Sequence, residues 1–180
     1  MFLFDLLFGK KKKPEAPAKT PAAAAKTAPA SAVVNAPGTR IHHDSGLIAA
    51  FRSDHQLLLE IFTAIGEASH AGDLVETQKR LGHFRTVLMD HLLKENIRLY
   101  VYLEHLLAND PTRRQMVHEF RHEMDAIGRV VVGFLGKYKA IASQPELAAP
   151  FAKDLVAIGE ALVARIRREE DLLYPMYVAP

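Results

Sequence analysis

A ten-residue phrase occurs twice in this chain and constrains its fold more than any other feature. The first copy is His91-Leu-Leu-Lys-Glu95-Asn-Ile-Arg-Leu99-Tyr100. The second is Arg165-Ile-Arg-Arg-Glu169-Glu170-Asp-Leu-Leu173-Tyr174. In each copy a Glu follows the first position by four residues, about one helical turn, so the two side chains share a helix face. His-x3-Glu on an inner helix face is a metal-ligand spacing of carboxylate-bridged bundles. The second copy keeps the Glu and the Leu-Tyr frame but has Arg165 where that chemistry wants His.

Apolar residues recur at spacings of three and four around both copies, which marks four helical segments. The first runs from about Ser45 to Ser69, with Leu47, Phe51, Leu58, Phe62 and Ile65 as its stripe, and Ala71-Gly72-Asp73 ends it. The second runs from about Leu74 to Leu107, with Leu81, Phe84, Leu88, Leu92, Leu99, Leu103 and Leu106 inward. Asp110 followed by Pro111 starts the third, whose stripe is Met116, Phe120, Met124, Ile127, Val131, Phe134, Tyr138 and Ile141. Ser143-Gln-Pro145 breaks it. The fourth carries Phe151, Leu155, Ile158, Leu162, Ile166 and Leu173 and closes at Pro175. Short connections and the absence of an alternating strand pattern predict an all-α, up-down-up-down four-helix bundle over residues 43–178.

The two halves of the bundle resemble each other. Phe51-Arg52-Ser-Asp54-His55 aligns with Phe120-Arg121-His-Glu123-Met124, and the stripes then run in step. His55, His91 and Glu95 therefore correspond to Met124, Arg165 and Glu169. On helical wheels of about 100° per residue, His55, Glu95 and Glu169 lie inside their stripes and His91 at an edge. Carboxylates are costly to bury alone, so Glu95 and Glu169 need a cation, a proton or a hydrogen-bond partner. A metal held by His55, His91, Glu95 and Glu169 would supply that need, and so would Arg165. His118 and His122 have ligand spacing, but the wheel turns both toward solvent and puts Glu123 at the inner edge. His42, His43, His70, His83 and His105 fall at ends, junctions or outer faces. The paired inward carboxylates come with no nucleophile or substrate motif, so the chain is not expected to be an enzyme.

The segment before the bundle is different in kind. Residues 1–40 hold seven Lys+Arg against two Asp+Glu, whereas the remainder holds 16 of the 23 basic and 19 of the 21 acidic side chains. The basic character is thus local, and the bundle is not expected to bind nucleic acid. Residues 1–13 join an apolar run containing Phe2, Phe4, Leu6, Leu7 and Phe8 to Lys10–Lys13. That order is wrong for a secretory signal; it suits weak, reversible contact with an anionic membrane surface, docking in a groove of a partner, or a frayed end. Residues 14–42, rich in Ala, Pro, Lys and Thr, read as a disordered tether. The chain has no cysteine, which fits a reducing compartment. The expected location is the cytoplasm, with the arm able to reach the inner membrane face.

Two family resemblances follow. Asp54-His55, His91-x3-Glu95 with Leu99-Tyr100, and Glu169-Glu170-x2-Leu173-Tyr174-Pro175 resemble hemerythrin-like (HHE cation-binding) domains over about residues 44–177. The resemblance implies a four-helix bundle that typically holds two non-haem irons bridged by carboxylates and serves oxygen, redox or iron sensing. It would make His55 and His91 terminal iron ligands and Glu95 and Glu169 bridging ones, with a regulatory or carrier role. Arg165 departs from the pattern, because a fixed cation cannot coordinate iron and repels it; two ions, one or none stay open. The second resemblance is carried by Phe84-x3-Leu88-Met-Asp90-x-Leu92 with Tyr100, and by Ile158-Gly-Glu-Ala-Leu-Val-Ala-Arg165 followed by Glu170 or its neighbour. These are similar to the regulator of sigma D (Rsd/AlgQ) family, which implies a metal-free bundle that binds a sigma factor. There Arg165 would be a structural counter-ion to Glu169, Glu95 or Glu123.

Overall fold

Asp44 accepts a hydrogen bond from the Gly46 amide at 2.9 Å in the turn that leads into the first helix. The structure, a computed structural model, describes residues 35–180. Helix α1 spans Leu47–His70 and ends where Gly72 takes φ +74°, a left-handed conformation that a side chain would disfavour. Asp73 then accepts from the Glu76 amide and starts α2, Leu74–Lys94. Without a break the chain continues through a π-helical segment, Glu95–Tyr100, into α3, Val101–Leu106, so these three pieces form one long helix. Asp110 caps α4, Pro111–Lys137, through the Arg113 amide, with Pro111 in the first turn. Two 3-10 turns, Ile141–Ser143 and Pro145–Leu147, lead into α5, Ala148–Arg168. A second π segment, Glu169–Leu173, and a 3-10 turn, Tyr174–Met176, complete the fourth long helix. Neighbouring helices in sequence pack together, and the fourth closes on the first: this is the all-α four-helix bundle that the periodicity predicts.

Two apolar layers hold the bundle. One gathers Leu58, Phe62, Ile65, Phe84, Leu88, Val131, Phe151 and Leu162 with their neighbours. The other gathers Leu47, Phe51, Leu99, Tyr100, Phe120, Met124, Leu173 and Tyr174. Each fully buried aromatic or aliphatic side chain contributes about 1.5–3 kcal/mol. Between the layers lie the buried polar side chains His55, His91, Glu95, Arg165 and Glu169. The chain order explains the sandwich: along α1, Phe51, His55 and Leu58 step from one apolar layer through the polar level to the other.

The stripes hold on α1 and shift elsewhere. Met116, expected inside, is 38% exposed, and Val117 takes the buried place. The second helix buries Tyr100 at the end of the π segment and Tyr102, Leu103 and Leu107 past it, whereas Leu106 is half-buried. A π turn bonds i to i+5, so it inserts a residue and rotates every later side chain relative to a regular wheel. On the fourth helix, ahead of its π segment, Ile166 is only half-buried and Arg165 lies inside.

Residues 35–42 were assigned to the tether by composition, but they pack. Ala36 is 1% exposed, its amide donates to the Ile41 carbonyl at 2.7 Å, and Asn35 bridges to His42. The folded unit therefore starts upstream of residue 43. The basic and apolar arm of residues 1–13 and the tether up to residue 34 lie outside the described residues. No helix among the described residues is long and apolar enough to cross a membrane.

Candidate metal centre

The polar layer is built from the two copies of the phrase and from the middle of α1. His55 on α1 and His91 on α2 face each other with ring centroids 4.8 Å apart. Glu169, the first residue of the second π segment, completes a group: one ligand atom each from His55, His91 and Glu169 lie within 4.8 Å of one another. All three are buried. His91, placed at the stripe edge by its wheel, is 3% exposed.

Two consecutive carboxylates grip the His55 imidazole. Its Nδ1 is 2.9 Å from Glu170 Oε1, and its Nε2 is 3.2 Å from Glu169 Oε2. A carboxylate behind one ring nitrogen fixes the orientation of the other, as in outer-shell support of metal-bound histidines. Asp54 Oδ2 stands 3.5 Å from His91 Nδ1, but that nitrogen makes no hydrogen bond. Tyr174 stacks on His55 with centroids 5.6 Å apart. Its hydroxyl lies 3.2 Å from His55 Nε2 and donates to Glu95 Oε1 at 3.4 Å.

Arg165 points inward. Its Nε donates to Glu169 Oε1, one terminal nitrogen donates to the Tyr100 hydroxyl at 2.8 Å, and the other to Glu123 Oε2 at 3.4 Å. The guanidinium carbon stands 5.1 Å from the Phe120 ring centroid. Arg168 also pairs with Glu123, from the outer side at 2.5 Å. Glu123 thus occupies the inner edge of α4, as its wheel position predicts. His118 is half-buried and His122 exposed, and neither joins the cluster.

Glu95 is brought to this layer but not into the close group. It is 0% exposed; Oε1 accepts the long bond from Tyr174, and Oε2 has no hydrogen-bond partner. The internal repeat explains the orphan. The counterpart of the His55–Glu169 contact would join Met124 to Glu95, and a thioether has no proton to donate. Burial, reinforced by the charge of Glu169, consequently pushes the Glu95 carboxyl well above its ordinary range. Burial also opposes a charge on Glu169, but the hydrogen bond from His55 and the charge of Arg165 outweigh it and hold Glu169 low. For His55, burial is outweighed by the bonds to Glu169 and Glu170, and its pKa rises. His91 is lowered by burial and by the neighbouring His55 charge, which keeps it neutral, the form that binds metals. Burial pushes the Tyr100 and Tyr174 phenols far up, so both are neutral hydrogen-bonding groups.

The sequence showed no polar role for Tyr100, Tyr174 or Glu170. The one available signal was the Leu-Tyr pair ending each copy of the phrase. Each tyrosine reaches across to the other copy: Tyr100 to Arg165, and Tyr174 to Glu95. A cavity of ≈ 40 Å³ adjoins the cluster, lined by His55, His91, Arg165 and Glu169 among apolar side chains such as Leu88 and Leu162.

The donor set suits a divalent cation. Two imidazoles and a carboxylate converge, with Glu170 behind His55 and the unsatisfied oxygen of Glu95 in the same layer. A family model described as the hemerythrin HHE cation binding domain matches residues 46–177. Searches of curated proteins and of solved structures gave no match.

Proposed function

The chain belongs to the hemerythrin HHE cation-binding family, and from that premise we propose that it binds non-haem iron through His55, His91, Glu169 and Glu95 in a regulatory or carrier role. The convergence of three buried ligand atoms within 4.8 Å carries this reading. Imidazole and carboxylate donors together suit iron among first-row metals. Iron bound there would supply a redox-active centre. The residues around it would hold the His55 imidazole in register through Glu170 and donate one hydrogen bond from Tyr174 to Glu95. A role in sensing or carriage, not catalysis, is supported by enclosure. The ligands are buried between two apolar layers, and the adjoining ≈ 40 Å³ of space admits about two or three water-sized guests, not an organic substrate.

The test is anaerobic reconstitution with ferrous ammonium sulfate, followed by desalting and elemental analysis. Iron should be retained by the wild type and lost from the His55→Ala, His91→Ala double variant. Retention unchanged in that variant refutes the ligand assignment.

One observation favours a second reading. Arg165 pairs with Glu169, as a bundle resembling the regulator of sigma D family would require. A protein that takes up no iron, but is recovered with a sigma factor in a binding assay, would support this alternative. The apolar and basic arm of residues 1–13 we assign to reversible contact with a membrane surface, which co-sedimentation with anionic vesicles would check.

A further inference from the structure

The inference concerns the number of ions and rests on the cation-binding reading above. We infer that the centre takes one divalent cation per chain, and that the Arg165 guanidinium stands in the place of a second as a built-in counter-charge to Glu169. The hemerythrin-like pattern implies two irons; the residues of this chain fit one.

Four observations lead there. First, the donors are unequally shared. The half containing His55 and His91 has two imidazoles, whereas the matching positions of the other half are Met124 and Arg165. A guanidinium has no lone pair to offer, and a thioether is a poor ligand for a hard divalent ion. Second, the two oxygens of Glu169 are already divided. Oε1 accepts from Arg165 Nε, while Oε2 faces His55 Nε2 at 3.2 Å. A carboxylate bridging two metals would give one oxygen to each, so here the guanidinium takes the place of one metal. Third, Arg165 is locked. Glu169, the Tyr100 hydroxyl, Glu123 and the Phe120 face hold it on several sides, and it is 7% exposed. It cannot swing away to admit an ion without stranding those partners. Fourth, space limits occupancy. Apart from His55, His91, Arg165 and Glu169, the adjoining cavity is lined by apolar side chains and Gly128, with no donor set for another ion.

The experiment is an anaerobic titration of chelator-stripped protein with ferrous ammonium sulfate, read as iron per chain after desalting. Electron paramagnetic resonance follows on the air-oxidised sample. The wild type should saturate at one iron and give the half-integer-spin signal of an isolated ferric ion. The Met124→His, Arg165→His double variant, which restores imidazoles to both matching positions, should saturate at two, a twofold rise. Its isolated-ion signal should collapse as the two ions couple. Two irons in the wild type would overturn the one-ion inference while leaving the cation-binding reading intact. No iron in the wild type would overturn both. A folded double variant that still takes one iron would show that Arg165 is not what excludes the second. The wild-type count and spectrum test the inference even if the double variant does not fold.

Discussion

Replacing Arg165 by Met in the metal-free protein isolates what the guanidinium does for the fold. The substitution keeps an unbranched apolar stem of similar reach and removes three polar contacts: to Glu169, to the Tyr100 hydroxyl and to Glu123. Breaking a buried ion pair by removing one partner costs about 3–5 kcal/mol, because the remaining charge is stranded. Two features of the site pull the value to the lower end. His55, with a raised pKa, still pairs with Glu169, and Arg168 still pairs with Glu123. Against them, the Tyr100 hydroxyl, fully buried, loses the donor it accepts from. The expected loss is about 3 kcal/mol, or a fall in Tm of about 6–12 °C for a domain of this size. The assay is urea denaturation followed by circular dichroism in excess chelator near neutral pH. Arg168→Met serves as the comparison. Its side chain is 49% exposed on the same Glu123, and removing it should cost less than about 1 kcal/mol. If Arg165→Met also cost under about 1 kcal/mol, Glu169 would not depend on the guanidinium, and Arg165 as a fixed internal cation would have to be abandoned.

Other consequences are as direct. Glu95→Gln removes a charge that burial and Glu169 disfavour, so the metal-free protein should gain about 1–2 kcal/mol at neutral pH. The same variant should hold iron less tightly; a metal-free protein destabilised by the change would contradict the orphaned carboxylate. Stability of the metal-free protein should depend on pH through four groups of this layer. His55, raised when folded, stabilises fully below its ordinary 6.5, and that contribution fades as pH climbs through the folded value. Glu169, lowered when folded, stabilises above its ordinary 4.5 and loses its contribution as pH falls through the folded value. Glu95, raised when folded, costs stability as pH climbs past 4.5, while His91, lowered when folded, opposes that loss as pH climbs toward 6.5. Chelator-treated protein should therefore melt highest between pH 4.5 and 6.5, and a maximum well above that window would be incompatible with these four shifts. Gly159→Ala would place a Cβ 2.8 Å from the Phe62 ring. The overpacking should cost about 1–3 kcal/mol in a denaturation curve despite the better helix propensity of Ala. His118→Ala with His122→Ala should leave the iron content at its wild-type value, because neither side chain lies in the cluster.

Much of the bundle was legible because burial repeats with helical period. The α1 stripe from Leu47 to Ile65, the turn at Gly72, and the Asp73 and Asp110 caps are local features, decided by a residue and its near neighbours. The internal repeat also located the polar layer, since the same alignment that matches Leu58 with Ile127 matches Glu95 with Glu169. Local composition was a poorer guide at residues 35–42, where Ala36 is buried by a turn and a bridge that composition cannot register.

Sequence by itself determined the fold, the inventory of candidate ligands and the asymmetry between the two halves, because each depends on residue identity and spacing alone. Only the tertiary structure decided how those residues meet. Two π segments begin at Glu95 and Glu169. By widening one turn each, they rotate Tyr100 and Tyr174 inward and set Glu169 and Glu170 on the two nitrogens of His55. No spacing rule foresees that rotation, because a regular helical wheel assumes an unbroken i to i+4 ladder. Nor could spacing choose between a guanidinium that snorkels to water and one that turns inward. That choice depends on a carboxylate from the next turn, and a phenol and an aromatic face from two other helices, arriving together around Arg165.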